Sequence, residues 1–299
     1  MTLKKLANND ELGNPVAHFF KSGNVLRKAD DRGLIGLKSF LPKSWEKGTR
    51  VEYDVWYSFP DNKIHGYVYT DLLTNFIYLR VASEKFASEA MSRAAESKVT
   101  EEGERLFLEI AKNCEDKYRL RPSRSAHDFV IFLAGTNILN KVTDWAKVDN
   151  AVRQGAKLKC HPLTSAPAYQ HLVHKYGGAV IPKKISGHQL LQEAKIVGCC
   201  DNSEMGIAAL AKGKTVYRFG KDNQWCTYSA IYKSLLHDGQ LSAEKLKAIL
   251  SCNTSGLVPA SIDEPQERIQ KFFLQYDQEE HIAPKDIGDQ MQSVKRAYA

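Results

Sequence analysis

Between His127 and Gly220 five short apolar runs are separated by four longer amphipathic stretches, and no other feature narrows the possible folds as much. "DFVIFLA" leads to a helix-length stretch around Asp144 to Gln154, "AKLKCHP" to "APAYQHLVHKYG", "GAVIPK" to "SGHQLLQEA", and "KIVGCC" to "SEMGIAALAKG"; "KTVYRFG" closes the series. Runs that are apolar at consecutive positions suit strands buried on both faces. Such strands, joined by helices, make a parallel sheet with helices on each side.

That architecture says where chemistry belongs. Ligands of open parallel sheets bind outside the carboxyl ends of the strands, and right-handed crossovers bring those ends to one rim. Three sets of residues follow the strands there: Gly135-Thr136-Asn137, His161-Pro162 and Asp201-Asn202-Ser203-Glu204. Asn202 or Ser203 is expected to cap a helix opening at Glu204, whose free backbone N–H groups and dipole suit a phosphate. Gly206, Ala208, Ala209 and Ala211 keep that helix slim enough to lie close to the sheet. His161 is expected to project over the rim, where an imidazole can stabilise charge building on a departing phosphate, while Pro162 stiffens the turn. His171 and His174 have no third ligand at metal-binding spacing and read as surface residues.

The preceding residues have a different rhythm. "TRVEYDVWYSF" and "KIHGYVYT" alternate apolar and polar residues around Pro60-Asp61-Asn62, which predicts a hairpin, with "LLTNFIYLRV" beyond it. "SEKFASEAMSRAAES" and "TEEGERLFLEIAKNCEDKYRL" carry helical spacing, and "RPSRSAH" interrupts it. The expected organisation is a mixed α/β domain over residues 1–126, a Rossmann-like domain over 127–240, and C-terminal helices over 241–299 that cross back to the first domain.

The formal charge of +7 is spread over both parts of the chain and favours an anionic partner, either DNA or an acidic glycan. Lys212, Lys214, Arg218 and Lys221 form one local basic cluster, with a solvated face as its plain explanation. No apolar run approaches the roughly 20 residues that span a bilayer, and the opening Met1-Thr2-Leu3-Lys4-Lys5 has no apolar signal core. The six cysteines include no C-x-x-C pair and half of them sit in apolar runs, so reduced core thiols and a cytoplasmic location are expected. Vicinal Cys199-Cys200 fits two buried thiols on a strand better than a redox pair.

The span from His127 to Gly220 resembles the nucleotide-binding half of GT-B glycosyltransferases, in particular the capsular-polysaccharide and Kdo-transferase type and the bacterial sialyltransferases with a His-Pro motif. The residues that carry the resemblance are His161-Pro162, Asn202-Ser203-Glu204, and Gly213-Lys214 in the segment that follows. It implies a GT-B-like α/β fold of two Rossmann-like domains, the first atypical here because its start has no glycine-rich strand-loop-helix. It also implies that His161 and the Ser203 segment bind the phosphate and sugar of a nucleotide-sugar, a co-substrate, with no other cofactor. The general base in such families comes from an acidic Asp/Glu-Asp/Glu-Gly triplet ahead of the His-Pro segment. The strand-associated carboxylates Asp54, Asp61, Asp71 and Asp128 are the candidates weighed for that role, with Asp71 preferred.

The expected activity is metal-independent transfer of a sugar to a hydroxyl, since no Asp-x-Asp signature is present and positive groups can stabilise the leaving phosphate. The acceptor is either a saccharide or a hydroxymethylated base in DNA. For a base lifted from its stack, Tyr53, Trp56 and Tyr57 are stacking candidates that also suit a sheet core. A nucleotide-sugar epimerase and a non-catalytic nucleic-acid-binding protein are the alternatives.

Overall fold

A computed structural model gives the fold. It describes residues 84–113, 121–123, 125–135, 138–162, 164–201, 203–221 and 229–259, the strand segments 4–5, 54–58, 65–71 and 76–81, and positions 268, 271, 272 and 275. In chain order the elements are β1 (Lys4–Lys5), β2 (Asp54–Ser58), β3 (His65–Asp71), β4 (Phe76–Val81), α1 (Glu84–Ala95) and α2 (Glu101–Asn113). Then come β5 (Phe129–Phe132), α3 (Leu139–Val142), α4 (Trp145–Arg153), β6 (Lys157–Lys159), α5 (Ala166–Tyr176), β7 (Val180–Ile181), α6 (Gly187–Glu193), β8 (Ile196–Cys199), α7 (Met205–Ala211) and β9 (Thr215–Arg218). Last are α8 (Ser229–Ser234), the hairpin β10 (Leu236–His237) and β11 (Gln240–Leu241), α9 (Ala243–Ser251) and β12 (Leu257–Pro259).

The chain divides into two compact units, Met1–Leu106 with Lys247–Ala299, and Phe107–Leu246. In the first, the strands run in the order β1-β2-β3-β4-β12, every neighbour antiparallel, with Trp56 opposite Tyr67, Tyr69 opposite Tyr78 and Ile77 opposite Val258. The period-2 pattern of "VEYDVWYS" accounts for that pairing. The first half is expected to be mixed and atypical with a hairpin, and among the described residues its sheet is antiparallel throughout, while the expected parallel sheet lies in the second unit. Helices α2 and α9 meet at Gly103, where a Cβ would come within 1.9 Å of Ser251 Oγ and 2.7 Å of the Lys247 carbonyl oxygen. The buried Arg268 donates to the Leu250 carbonyl at 3.0 Å and to Glu102 at 2.9 Å.

The second unit follows the alternation read from the sequence. Its five strands are all parallel, in the order β7-β6-β5-β8-β9. Numbered within the sheet this is 3-2-1-4-5, the Rossmann-like order, so this unit is an α/β domain with a Rossmann-like parallel sheet. Val130, Ile131, Leu158 and Val197 are wholly buried, each worth roughly 1.5–3 kcal/mol relative to exposure. The two sheet faces carry different helices. Ile131, Leu158 and Phe219 pack with Leu139, Val148, Ala151 and Leu172 of α3, α4 and α5. On the other face Phe132 lies against the start of α6, and Cys199 against Gly206 of α7.

Caps explain the helix bounds. Asp144 accepts from Lys147 N–H at the start of α4, Ser165 from Ala168 N–H at the start of α5, and Ser186 from Gln189 N–H at the start of α6. Gly177 ends α5 at φ 53°, a left-handed conformation that favours glycine. Among the described residues no helix is long and apolar enough to cross a membrane.

Candidate functional site

The connections after β5 and β8 leave toward opposite faces, which makes the carboxyl ends of these neighbours the switch point of the sheet. Gly135 follows β5 and Asp201 follows β8. His161 follows β6, beside β5 on the other side. The three sets of residues read from the sequence thus begin on one rim.

His161 owes its position to a tight turn. Thr164 N–H donates to the His161 carbonyl at 2.9 Å, closing a four-residue turn with Pro162 second, where proline's fixed φ is favoured. The imidazole then stands over the end of β5: His161 Nδ1 is 3.9 Å from the point a Cβ on Gly135 would occupy. Gly135, His161 and Pro162 are all half-buried, so each keeps part of its surface in solvent. Thr136 and Asn137 lie outside the described residues.

Two lysines absent from the sequence-based candidates brace the same turn. Lys159 is 2% exposed and its Nζ donates to the carbonyls of Cys160 at 2.7 Å and Lys183 at 3.2 Å. Lys183 Nζ in turn donates to the Thr164 carbonyl at 3.0 Å. Positive charge anchored around the His161 turn favours an anion above it. The signal available was Lys159, the last residue of "KLK", set between Leu158 and Cys160 in a run that is otherwise apolar there.

The β8 loop is fixed differently. Ser203 N–H donates to the Cys200 carbonyl at 3.0 Å, and the wholly buried Tyr232 hydroxyl donates to the Ser203 carbonyl. Glu204 has helical angles, φ −66° and ψ −14°, and Ser203 Oγ accepts from Met205 N–H at 3.3 Å, which makes Ser203 the capping side chain. Glu204 itself makes no side-chain cap bond. Asn202 lies outside the described residues. Both Ser203 and Glu204 are buried, at 9% and 8% exposure, so the loop presents less surface to a ligand than the His161 corner does. Every residue of α7 from Gly206 to Ala211 is buried, and a Cβ on Gly206 would meet Cys199 Sγ at 2.6 Å and Tyr232 Oη at 2.7 Å. The small residues there are a packing requirement, as their spacing suggested.

Arg218 does not belong to a basic surface. Its guanidinium, 9% exposed, holds the wholly buried Asp201 with two bonds, Nε to Oδ1 at 2.7 Å and a terminal nitrogen to Oδ2 at 2.5 Å. Lys212 and Lys214 donate to the carbonyls of Ala111 and Gln192. The cluster read from sequence is therefore dispersed by the fold. Beyond Arg218, the chain is pinned to the α3–α4 link by Asp144 N–H to the Phe219 carbonyl at 2.8 Å and Lys221 N–H to the Val142 carbonyl at 2.9 Å.

The thiols are structural. Cys160, Cys199 and Cys200 are wholly buried; burial pushes Cys160 up to about 11 and Cys200 up to about 12, and Cys199 well above the ordinary thiol range. Native Cys160, Cys199 and Cys200 are expected to resist alkylation at pH 8, with peptide mapping as the readout. A raised folded pKa means that the unfolded chain releases its protons first. Stability is therefore full below the unfolded value near 8.5 and falls as pH rises toward 11–12, by about 1.4 kcal/mol per pH unit for each fully shifted thiol. Thermal melts between pH 8 and 10.5 test this; a flat profile would contradict the burial.

The base candidates separate. Asp128 precedes β5, at the amino end of the sheet and away from His161, and pairs with Lys195 at 3.2 Å in solvent; it cannot serve that rim. Asp71 ends β3 opposite Phe76, and Asp54 begins β2 opposite Tyr69, both in the first unit. Trp56 and Tyr57 lie in β2 as well. Asp61 and Tyr53 lie outside the described residues. The sequence does hold an acidic triplet ahead of His161: Glu101-Glu102-Gly103, in the first turn of α2. Glu102 is engaged by Arg268, Gly103 makes the contact with α9, and Glu101 is exposed.

His171 and His174 are exposed on α5, and among the described residues no group of three or more His, Cys, Asp or Glu side chains is placed to hold a metal ion. Comparison with protein families, curated proteins and solved structures finds no match. The fold is therefore an α/β fold with a Rossmann-like parallel sheet, compatible with nucleotide-binding enzymes in general.

Proposed function

We propose that the protein is a GT-B-like glycosyltransferase that moves a sugar from a nucleotide-sugar to a hydroxyl acceptor. The observation that carries this reading is His161, set beside Gly135 at the switch point by a proline-stiffened turn whose flanking carbonyls, those of Cys160 and Thr164, accept from the ammonium groups of Lys159 and Lys183. A donor phosphate over this corner meets an imidazole and fixed positive charge. The segments Gly135-Thr136-Asn137 and Asn202-Ser203-Glu204 would bind the rest of the donor, with Pro162 holding the turn.

In the proposed reaction the acceptor oxygen attacks the anomeric carbon, the bond from that carbon to the phosphate oxygen breaks, and the nucleotide leaves. His161 stabilises the charge on the leaving oxygen by donating a hydrogen bond. A carboxylate takes the proton of the acceptor hydroxyl. Asp71 is the proposed base, and the exposed Glu101 is the competitor introduced by the acidic triplet.

The charge of +7 favours an anionic acceptor, which includes a hydroxymethylated base in DNA as well as an acidic saccharide. Incubation with labelled nucleotide-sugars, with and without hydroxymethylcytosine-containing DNA, tests this. A mass increase of the modified nucleoside is the result expected for a DNA acceptor. Label moved only to saccharide would assign that class instead. An isomerised donor would mark an epimerase, and salt-sensitive DNA binding with every donor left intact would mark a non-catalytic binder.

A further inference from the structure

We propose that Asp201 and Arg218 are positioning residues for the donor site, an inference that rests on the nucleotide-sugar reading above. The pair spans the last two strands of the sheet. Cys199 and Arg218 face each other in the β8–β9 register, and Asp201 stands two residues farther along. Its carboxylate is wholly buried, Arg218 is nearly so, and the two bonds between them have the parallel geometry that fixes orientation as well as distance.

Stability alone does not explain such a pair. Withdrawing two charges from water offsets most of their attraction, and well-packed apolar residues often do as well or better. What the pair supplies here is a fixed direction for the backbone that leaves β8. Ser203 is held by bonds already described: its amide on the Cys200 carbonyl and Tyr232 on its own carbonyl. Gly220 completes the arrangement, since a Cβ there would lie 1.7 Å from Asp201 Oδ1. Asp201 and Ser203, held in this way, need little ordering when a ligand arrives.

The test compares full-length wild-type protein with Asp201→Asn, which keeps the shape and removes the charge. Calorimetric titration with a panel of nucleoside diphosphates, donor kinetics, and hydrogen exchange at the Ser203 and Met205 amides are measured well below the melting temperature. Expected for Asp201→Asn are an affinity for the best nucleotide at least tenfold weaker, a matching rise in donor KM with kcat within about threefold, and faster exchange at those two amides. Gly103→Ala, which strains the α2–α9 contact instead, is expected to lower the melting temperature without changing nucleotide affinity. Wild-type affinity in folded Asp201→Asn, or an affinity that tracks melting temperature equally in both variants, overturns the inference and leaves the functional reading standing. Failure of the wild type to bind any nucleoside diphosphate overturns both. Should Asp201→Asn not fold, Arg218→Lys, which keeps the charge and loses the paired geometry, is expected to weaken binding in the same direction; wild-type affinity there overturns the inference equally.

Discussion

Gly220→Ala is expected to remove roughly 3–5 kcal/mol of stability, the scale of breaking a buried ion pair. The added Cβ would lie 1.7 Å from Asp201 Oδ1, 2.3 Å from its Cγ and 3.0 Å from its backbone nitrogen, so no small shift of one flexible side chain relieves it. Asp201 cannot retreat, because its carboxylate is gripped by Arg218, and the Gly220 segment cannot lift, because its neighbours Phe219 and Lys221 are bonded to Asp144 and Val142. Against a typical total of about 5–15 kcal/mol this is a large fraction of the folded-state margin. Gly178→Ala is the control, since a Cβ there meets nothing within 4 Å and φ is not positive. Urea unfolding of both variants is the measurement; equal midpoints would contradict the packing described for the rim.

His161→Ala is expected to lower kcat for sugar transfer by about 10²–10³-fold, the usual consequence of removing one donor aimed at developing charge. The side chain is half-buried at the carboxyl end of β6, and its loss leaves the turn intact because that turn is closed by backbone atoms, Thr164 N–H to the His161 carbonyl. Melting temperature is therefore expected to change little while turnover collapses. Ser203→Ala, whose hydroxyl caps the short helix α7, is expected to combine a loss of roughly 1 kcal/mol of stability with a weaker effect on donor binding. Steady-state kinetics with the donor found active on the wild type, together with a thermal melt of each variant, separates the two patterns.

The parallel sheet was legible because its central strands are buried on both faces, which writes them into the sequence as unbroken apolar runs such as "DFVIFLA". Helix bounds were legible where a side chain fixes them: Asp144 opens α4 and Gly177 ends α5 where the pattern placed them. The common rim followed from chain topology, and so did the approach of His161 to the end of β5. Charge pairing was not legible. Arg218 and Asp201 are 17 positions apart, and only the register of β8 against β9 brings them together, so a buried arginine was read as part of a basic cluster. Lys159 was missed because its ammonium is satisfied by backbone carbonyls, partners that carry no sequence signature. The antiparallel sheet of the first unit shows the same division: its hairpin strands alternate visibly, whereas the addition of β12 beside β4 joins residues far apart in the chain.

The central claim is that a nucleoside diphosphate binds at the carboxyl rim of the parallel sheet. It is tested most directly by following the side-chain resonances of the nine histidines and the backbone amides during titration with nucleoside diphosphates. The predicted result is a saturable shift of the His161 imidazole accompanied by the amides of Gly135, Ser203 and Glu204, with His171 and His174 on the surface of α5 unmoved. Saturable binding that shifts residues at the amino end of the sheet, such as Asp128 and Lys195, and leaves His161 unchanged would contradict it.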